Sequence, residues 1–296
     1  MSVAPLGLLI AVCSSLAWAG FDALRKVLVQ GSDSRALVVV LSAAQVPLFG
    51  AWTLLEGARI EPADYALPAA ASVGLNVLAN YLFLEAVRHS PLSLTIPLLS
   101  FSPAFAALVA VPLLGEWPTL RQVFGIALVV VGAVSLHAPQ LGARERLSRI
   151  LGRIARERGS VYMVIVALLW SLTASMDKLA LRHCSVGLHG LVLALGVAFG
   201  MVAVLIVQGE AAVLSNTTRR LGGVAAAAVA VTVALGLQLW AVQLMLVSFV
   251  EAMKRAVGMT ASLVLGRLVF GERIGRAQVL AISVMAAGVA FIVGIG

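Results

Sequence analysis

Ten stretches of the chain are almost continuously apolar, at 5–28, 36–55, 65–87, 91–114, 119–137, 161–181, 187–207, 223–247, 249–270 and 275–296. Each is close to the roughly 20 residues a helix needs to cross the hydrocarbon core of a bilayer. Hydrocarbon offers the backbone no hydrogen bonds, so such segments must be helices that satisfy themselves. The expectation is an all-α membrane protein of ten transmembrane helices. The one long polar gap, 138–160, carries Arg144, Arg146, Arg149, Arg153, Arg156 and Arg158 with Glu145 and Glu157. It divides the chain into a first five-helix unit (1–140), a basic linker (141–160) and a second five-helix unit (161–296). As a basic amphipathic stretch, the linker is expected to lie on anionic headgroups.

The two units repeat one another. Gly115 and Glu116 close the fourth stretch and are followed by Gln122 and Gly132, while Gly271, Glu272, Gln278 and Gly288 recur with a constant offset of 156 residues. The first helices of the units match more loosely, with Trp18 eight residues before Lys26 and Trp170 eight before Lys178, an offset of 152. This is an internal duplication. Five is odd, so the second unit would enter the membrane from the opposite side to the first, giving two inverted five-helix repeats. In transporters of that build the substrate site lies near the midplane between the repeats, and their two-fold relation supplies alternating access.

Composition sharpens the picture. Only 11% of residues are charged and 61% are hydrophobic, where a soluble domain carries about 25% charge. The net charge of +8 sits mainly in short gaps between apolar runs, as orientation signals do. It gives no reason to expect nucleic acid as a partner. Counting arginines outside the helices puts twelve on the face holding the gaps after helices one, three, five, seven and nine, and three (Arg59, Arg121, Arg182) on the other. Positive residues favour the cytoplasm, which would place both termini outside. Cys13 and Cys184 lack metal-like spacing and read as core thiols. Ala17-Trp18-Ala19 resembles a cleavage site, yet no Lys or Arg precedes the apolar run, so the segment reads as a retained first helix.

Candidate chemistry begins with the lysines, of which there are three against 18 arginines. Lys254 belongs to Glu251-Ala-Met-Lys254-Arg255 inside an apolar span. A charge at the bilayer centre costs about 3 kcal/mol or more on insertion scales, so it normally faces a partner or a wet cavity. Glu251 reaches Lys254 and Arg255 at helix spacings of three and four, leaving one positive charge over. Glu251, Lys254 and Arg255 are therefore substrate-binding candidates, with an internal ion pair as the alternative. Lys26 and Lys178 end matching helices, where snorkelling to headgroups is the alternative. Asp22 and Asp177 join them as ion-coupling or charge-pair candidates. A carboxylate held away from water is a natural proton site because desolvation disfavours its charged form. A quiet salt bridge, for Asp22 with Lys26 four residues on, is the competing reading. Asn76, Asn80 and Gln243 are either ligand-orienting amides or helix-to-helix glue. Gln238 is read with them. Trp18 lines the cavity or simply packs. Pro97 and Pro103 should loosen the fourth span. Glu116 and Glu272 are assigned to capping or orienting the next helix. His89, His137, His183 and His189 lie near span ends and are read as interfacial. No metal or cofactor is expected.

The pattern Gly-Glu-x5-Gln-x9-Gly in both halves, ten spans and a tryptophan near the middle of the first helix resemble the EamA-type family of the drug/metabolite transporter superfamily, over nearly the whole chain. That resemblance implies a permease or exporter of metabolites in a bacterial inner membrane. It also implies helices three, four, eight and nine around a central cavity, and both termini inside, opposite to the charge count. The Lys254-Arg255 pair is similar to the phosphate-binding pair of triose-phosphate carriers, about one turn out of register. No catalytic pair stands out, and without a phosphate-binding loop the chain hydrolyses no ATP. The reading is a secondary transporter, not an enzyme, carrying a small organic solute with a carboxylate or phosphate. A flippase for a lipid or lipid-linked sugar or phosphate is the alternative. The partners are the solute and the lipid bilayer, with the chain a monomer or homodimer.

Overall fold

The computed structural model describes residues 5–90, 95–136, 156–215, 220–270 and 275–294. Gly271, Glu272, His137 and most of the basic linker lie outside the described residues. Among the described residues the apolar stretches are helical: α1 (Pro5–Leu28), α2 (Ser34–Glu56), α3 (Pro62–His89), α4 (Ile96–Leu114), α5 (Leu120–Leu136), α6 (Arg158–Ala180), α7 (Val186–Val207), α8 (Leu221–Leu244), α9 and α10 (Arg276–Val293). The segment α9 runs as Val247–Met253, a π-helical turn over Lys254–Gly258, and Met259–Phe270. Eight of these helices are long and apolar enough to cross a membrane. The other two are α5, at 17 residues, and the interrupted α9. The protein is therefore an integral membrane protein, helical in its spans among the described residues. Its outer surface bears large apolar side chains such as Leu54, Leu67, Leu108 and Phe199, as a lipid-facing surface requires.

Helices of the first unit pack on helices of the second. The contacting pairs include α1 with α8, α2 with α7, α3 with α6, α4 with α9, and α5 with α10, and α4 also lies along α6. One end of the bundle gathers the α2–α3, α4–α5, α6–α7 and α8–α9 connections: Ile60 bridges Cys184, Ser185 N–H donates to the Arg59 carbonyl at 2.9 Å, and Val247 N–H donates to Glu116 at 2.9 Å. The opposite end brings the α1–α2 and α7–α8 connections together through Arg35 and Glu210. There Asp33 caps α2, accepting from the Arg35 amide at 2.8 Å, and the Arg35 guanidinium holds its carboxyl below the usual range.

The repeated motif now has physical reasons. Gly115 ends α4 in a left-handed conformation (φ 68°) that residues with a Cβ rarely adopt. Gln122 accepts from the Thr119 amide at 2.8 Å, and Gln278 accepts from the Gly275 amide at 2.8 Å, so each glutamine caps its own helix. The last glycines serve close approach. A Cβ on Gly288 would lie 2.6 Å from the Gly125 carbonyl, and one on Gly132 would lie 2.9 Å from the Ala281 carbonyl. In lipid, where apolar burial drives helices together only weakly, such backbone-to-backbone approach is a main source of cohesion. Gly288→Val is accordingly expected to cost about 1–3 kcal/mol by overpacking, read as a lower unfolding temperature of the detergent-purified protein. An unchanged melting curve would mean that α5 and α10 do not meet here.

Candidate functional site

Two helical irregularities occupy matching places. The fourth span opens as a 3₁₀ stretch, Ile96–Phe101, with Pro97 in its first turn and Pro103 just beyond. Proline lacks the N–H that an α-helical ladder needs, so this span is loosened as its sequence implies. Shifting 96–101 by the repeat offset gives 252–257, which overlaps the π-helical turn Lys254–Gly258. Insertions of this kind concentrate at functional sites. The 3₁₀ stretch packs on α6 and the π-helical turn on α1, while the segments that adjoin them, Ser102–Leu114 and Val247–Met253, pack on each other.

Polar side chains from α1, α4, α6, α8 and α9 converge at this junction. Glu251 is fully buried. It accepts from Lys254 Nζ at 2.7 Å and from Ser102 Oγ at 3.1 Å. Arg255 Nε donates to the same Ser102 hydroxyl at 3.0 Å. Ser171 on α6 secures the Ser102 carbonyl at 3.0 Å. Lys254 also donates to Gln238 Oε1 at 3.3 Å and sits 5.7 Å from the centroid of the Trp18 ring. Trp18 Nε1–H completes the circuit by donating to Gln238 Oε1 at 2.8 Å. The cluster thus contains two cations and one carboxylate. Lys254 bonds two members of the cluster, and Arg255 is anchored to it through Nε.

The structure brings together some sequence candidates and disperses others. Glu251, Lys254, Arg255 and Trp18 meet as described. Asn80 turns back to the Asn76 carbonyl on its own helix at 2.9 Å. Gln243 is exposed near the end of α8, and Gln238, one turn deeper, is the amide that reaches the cations. Asp22 pairs with Arg25 at 2.9 Å on an accessible stretch of α1 that also carries Lys26. Asp177 and Lys178 go separate ways. Lys178 pairs with Glu116 at 2.5 Å and donates to the Met245 carbonyl at 2.6 Å, so it braces two connections from the inside where snorkelling was the alternative. Glu116, expected to serve the following helix, instead caps α9 from the other half. An acid at a helix N-terminus satisfies orphan N–H groups and complements the helix dipole.

The interfacial reading of His189 is overturned. Its ring is fully buried, with Nδ1 3.0 Å from the Tyr65 hydroxyl and Nε2 3.1 Å from Asp177, which also accepts from Ser72. The covering loops, not the membrane surface, surround this span end. A usable signal was that His189 is the sole ionisable residue of α7. Ser102 was missed because a serine between apolar residues has no distinctive spacing. Glu61, Asp64 and His183 offer ligand atoms within 4.8 Å of one another at the exposed mouth of the same end, where Glu61 and His183 already bond at 2.7 Å. Two apolar grooves, one at Leu48, Trp52 and Leu55 and one at Tyr65, Ala69 and Val73, share no residue with the Lys254 cluster.

Comparison with known proteins agrees with this architecture. Residues 5–137 match the EamA-like transporter family. A solved crystal structure superposes with a TM-score of 0.74 over 96% of this chain and 95% of that one, at 16% identity, which shows a shared fold. No curated protein matches the chain.

Removing one member of a buried ion pair leaves the other uncompensated, at a cost of about 3–5 kcal/mol. Glu251→Gln should therefore lower the unfolding temperature markedly, and Glu251→Gln with Lys254→Met should recover part of the loss in a double-mutant cycle. Strict additivity of the two substitutions would show that the pair is not coupled.

Proposed function

We propose that the chain, whose residues 5–137 match the EamA-like transporter family, is a secondary transporter and not an enzyme, moving a small organic anion by alternating access. The observation that carries this reading is the charge imbalance at the junction of the halves, where Lys254 bonds Glu251, Arg255 bonds Ser102 beside it, and the next carboxylate near Arg255, Asp22, is paired with Arg25. A buried site with one positive charge left over is completed by a solute bearing a carboxylate or phosphate. Arginine suits either group, because its planar fork can donate two parallel bonds. Trp18 and Gln238 would hold the rest of the solute, one by its apolar face and the other by its amide.

The architecture we propose is two inverted repeats, 1–140 and 161–296, joined by the linker 141–160. Exchanging the halves converts the α1–α8 contact into the α6–α3 contact and returns α2–α7, α4–α9 and α5–α10 to themselves. That is what a two-fold axis in the membrane plane requires. The end bearing Glu116 and Lys178 is tied shut across the halves. The repeat offsets assign Glu272 and Lys26 as the counterparts of this tie for the other end.

Two measurements test the proposal. A ligand that binds the folded state raises its melting temperature by mass action. In a thermal-shift screen against a metabolite library, carboxylates or phosphates should stabilise the wild type, and Lys254→Ala should lose the response. An equal response in the mutant would remove Lys254 from the site, and stabilisation by lipid-linked phosphates alone would favour a flippase. Separately, Glu116→Ala should raise hydrogen exchange around Met245–Val250 and residues 178–185 by releasing the Val247 amide and Lys178. Unchanged exchange would mean that this pair does not hold that end closed.

A further inference from the structure

A second polar cluster lies outside the Lys254 site, where α3, α6 and α7 meet. Tyr65, Ser72, Asp177 and His189 are all buried, and they form one chain of hydrogen bonds from Tyr65 through His189 to Asp177 and Ser72. Hydroxyls, amides and imidazoles all serve helix cohesion. This cluster adds a carboxylate facing the imidazole, and imidazole is the side chain that ordinarily exchanges a proton near neutral pH.

The charge balance of the cluster is incomplete without a proton. With neutral His189, Nε2–H donates to Asp177 and Nδ1 accepts from the Tyr65 hydroxyl, leaving one uncompensated negative charge in a dry corner. The charged groups around it do not remove the deficit. Lys178 is bound to Glu116. The Glu56 carboxylate accepts from the Gly187 amide at 2.8 Å. Glu61 and His183 pair with each other on the covering loops, and Arg59 and Arg182 are exposed. Cys184, buried beside Tyr65, is pushed by burial towards its neutral thiol. One added proton at His189 Nδ1 makes the cluster neutral. The Tyr65 hydroxyl then turns from donor to acceptor, and the heavy atoms keep their places.

We propose that Asp177 and His189, completed by Tyr65 and Ser72, form a proton-binding site that couples transport to a proton gradient. The proposal rests on the transporter reading for what the proton drives, though not for its binding. Its placement suits coupling. Asp177 adjoins Lys178, whose ammonium ties α6 to Glu116 and to the Met245 carbonyl. The bridge between Ile60 and Cys184 covers the cluster at the same end of the bundle. Loading or unloading the proton therefore changes the charge within one residue of the tie that closes this end.

The test uses the full-length protein in lipid nanodiscs, with ¹⁵N-labelled histidine followed by NMR between about pH 5 and 8. One ring, assigned by its loss in His189→Gln, should gain a doubly protonated form as pH falls, and Asp177→Asn should lose that form over the same range. Protection factors of residues 181–190, taken after dividing out the intrinsic pH dependence of amide exchange, should change with pH in the wild type and stay constant in Asp177→Asn. This comparison decides alone if His189→Gln does not fold. A His189 ring that stays singly protonated throughout, or an Asp177→Asn variant indistinguishable from the wild type, would overturn the proposal. A metabolite screen without a ligand would overturn the anion-carrier reading while leaving the NMR result standing, so the two failures are separable.

Discussion

Charges inside a membrane protein must be balanced where they stand, because neither water nor lipid will screen them. Here that constraint decides which helices meet. Glu251 on α9 is held by Lys254 and by Ser102 from α4. Glu116 from the α4–α5 connection is held by Lys178 on α6 and the first amide of α9. Asp177 on α6 is held by His189 on α7 and Ser72 on α3. Each carboxylate has at least one partner from the opposite half. The polar interior is thus largely a set of bonds between the repeats, while each repeat's outer face is left apolar.

The irregular helices follow from the same requirement. A regular α-helix spends every backbone carbonyl on itself, and its side chains emerge at fixed intervals. The π-helical turn at Lys254–Gly258 widens the spacing where two cations must share one carboxylate, and the 3₁₀ opening of α4 brings Ser102 to that carboxylate. Proline loosens one of these segments. The matching stretch of the second half has Met253 and Met259 where the first has Pro97 and Pro103, and it departs from the α-helix by insertion instead. Two routes reach equivalent breaks in the two halves.

Much of this was legible in the sequence, for a definite reason. Apolar length alone places the helices, because a span must be long and uninterrupted to cross the bilayer. Charge rarity singles out Glu251, Lys254 and Arg255, since each such residue needs a partner. What the chain order hides is pairing across the repeats. Lys178 lies 62 residues from Glu116 and His189 lies 124 from Tyr65, so no local spacing rule connects them. Adjacency misleads as well. Asp177 and Lys178 look like one charge pair, yet consecutive helical side chains diverge by about 100°, and these two serve separate clusters. Asn76 and Asn80 obey a helical spacing that proves internal to their own helix.

The strengths of these contacts bear on which of them can give way. Polar bonds between membrane helices average only about 0.6 kcal/mol, because the separated helices find other partners. On the alternating-access reading proposed above, ties such as Glu116 to Lys178 would be exchanged as water enters to receive the released groups. The seam between α5 and α10 is of another kind. Gly125, Gly132 and Gly288 let the two backbones touch, a close fit that lipid tails do not reproduce if the helices part. That packing is lost on separation, whereas a polar pair can find other partners. The α5–α10 seam is thus suited to hold the halves together as the axis of movement, and the buried charges to mark which end is closed.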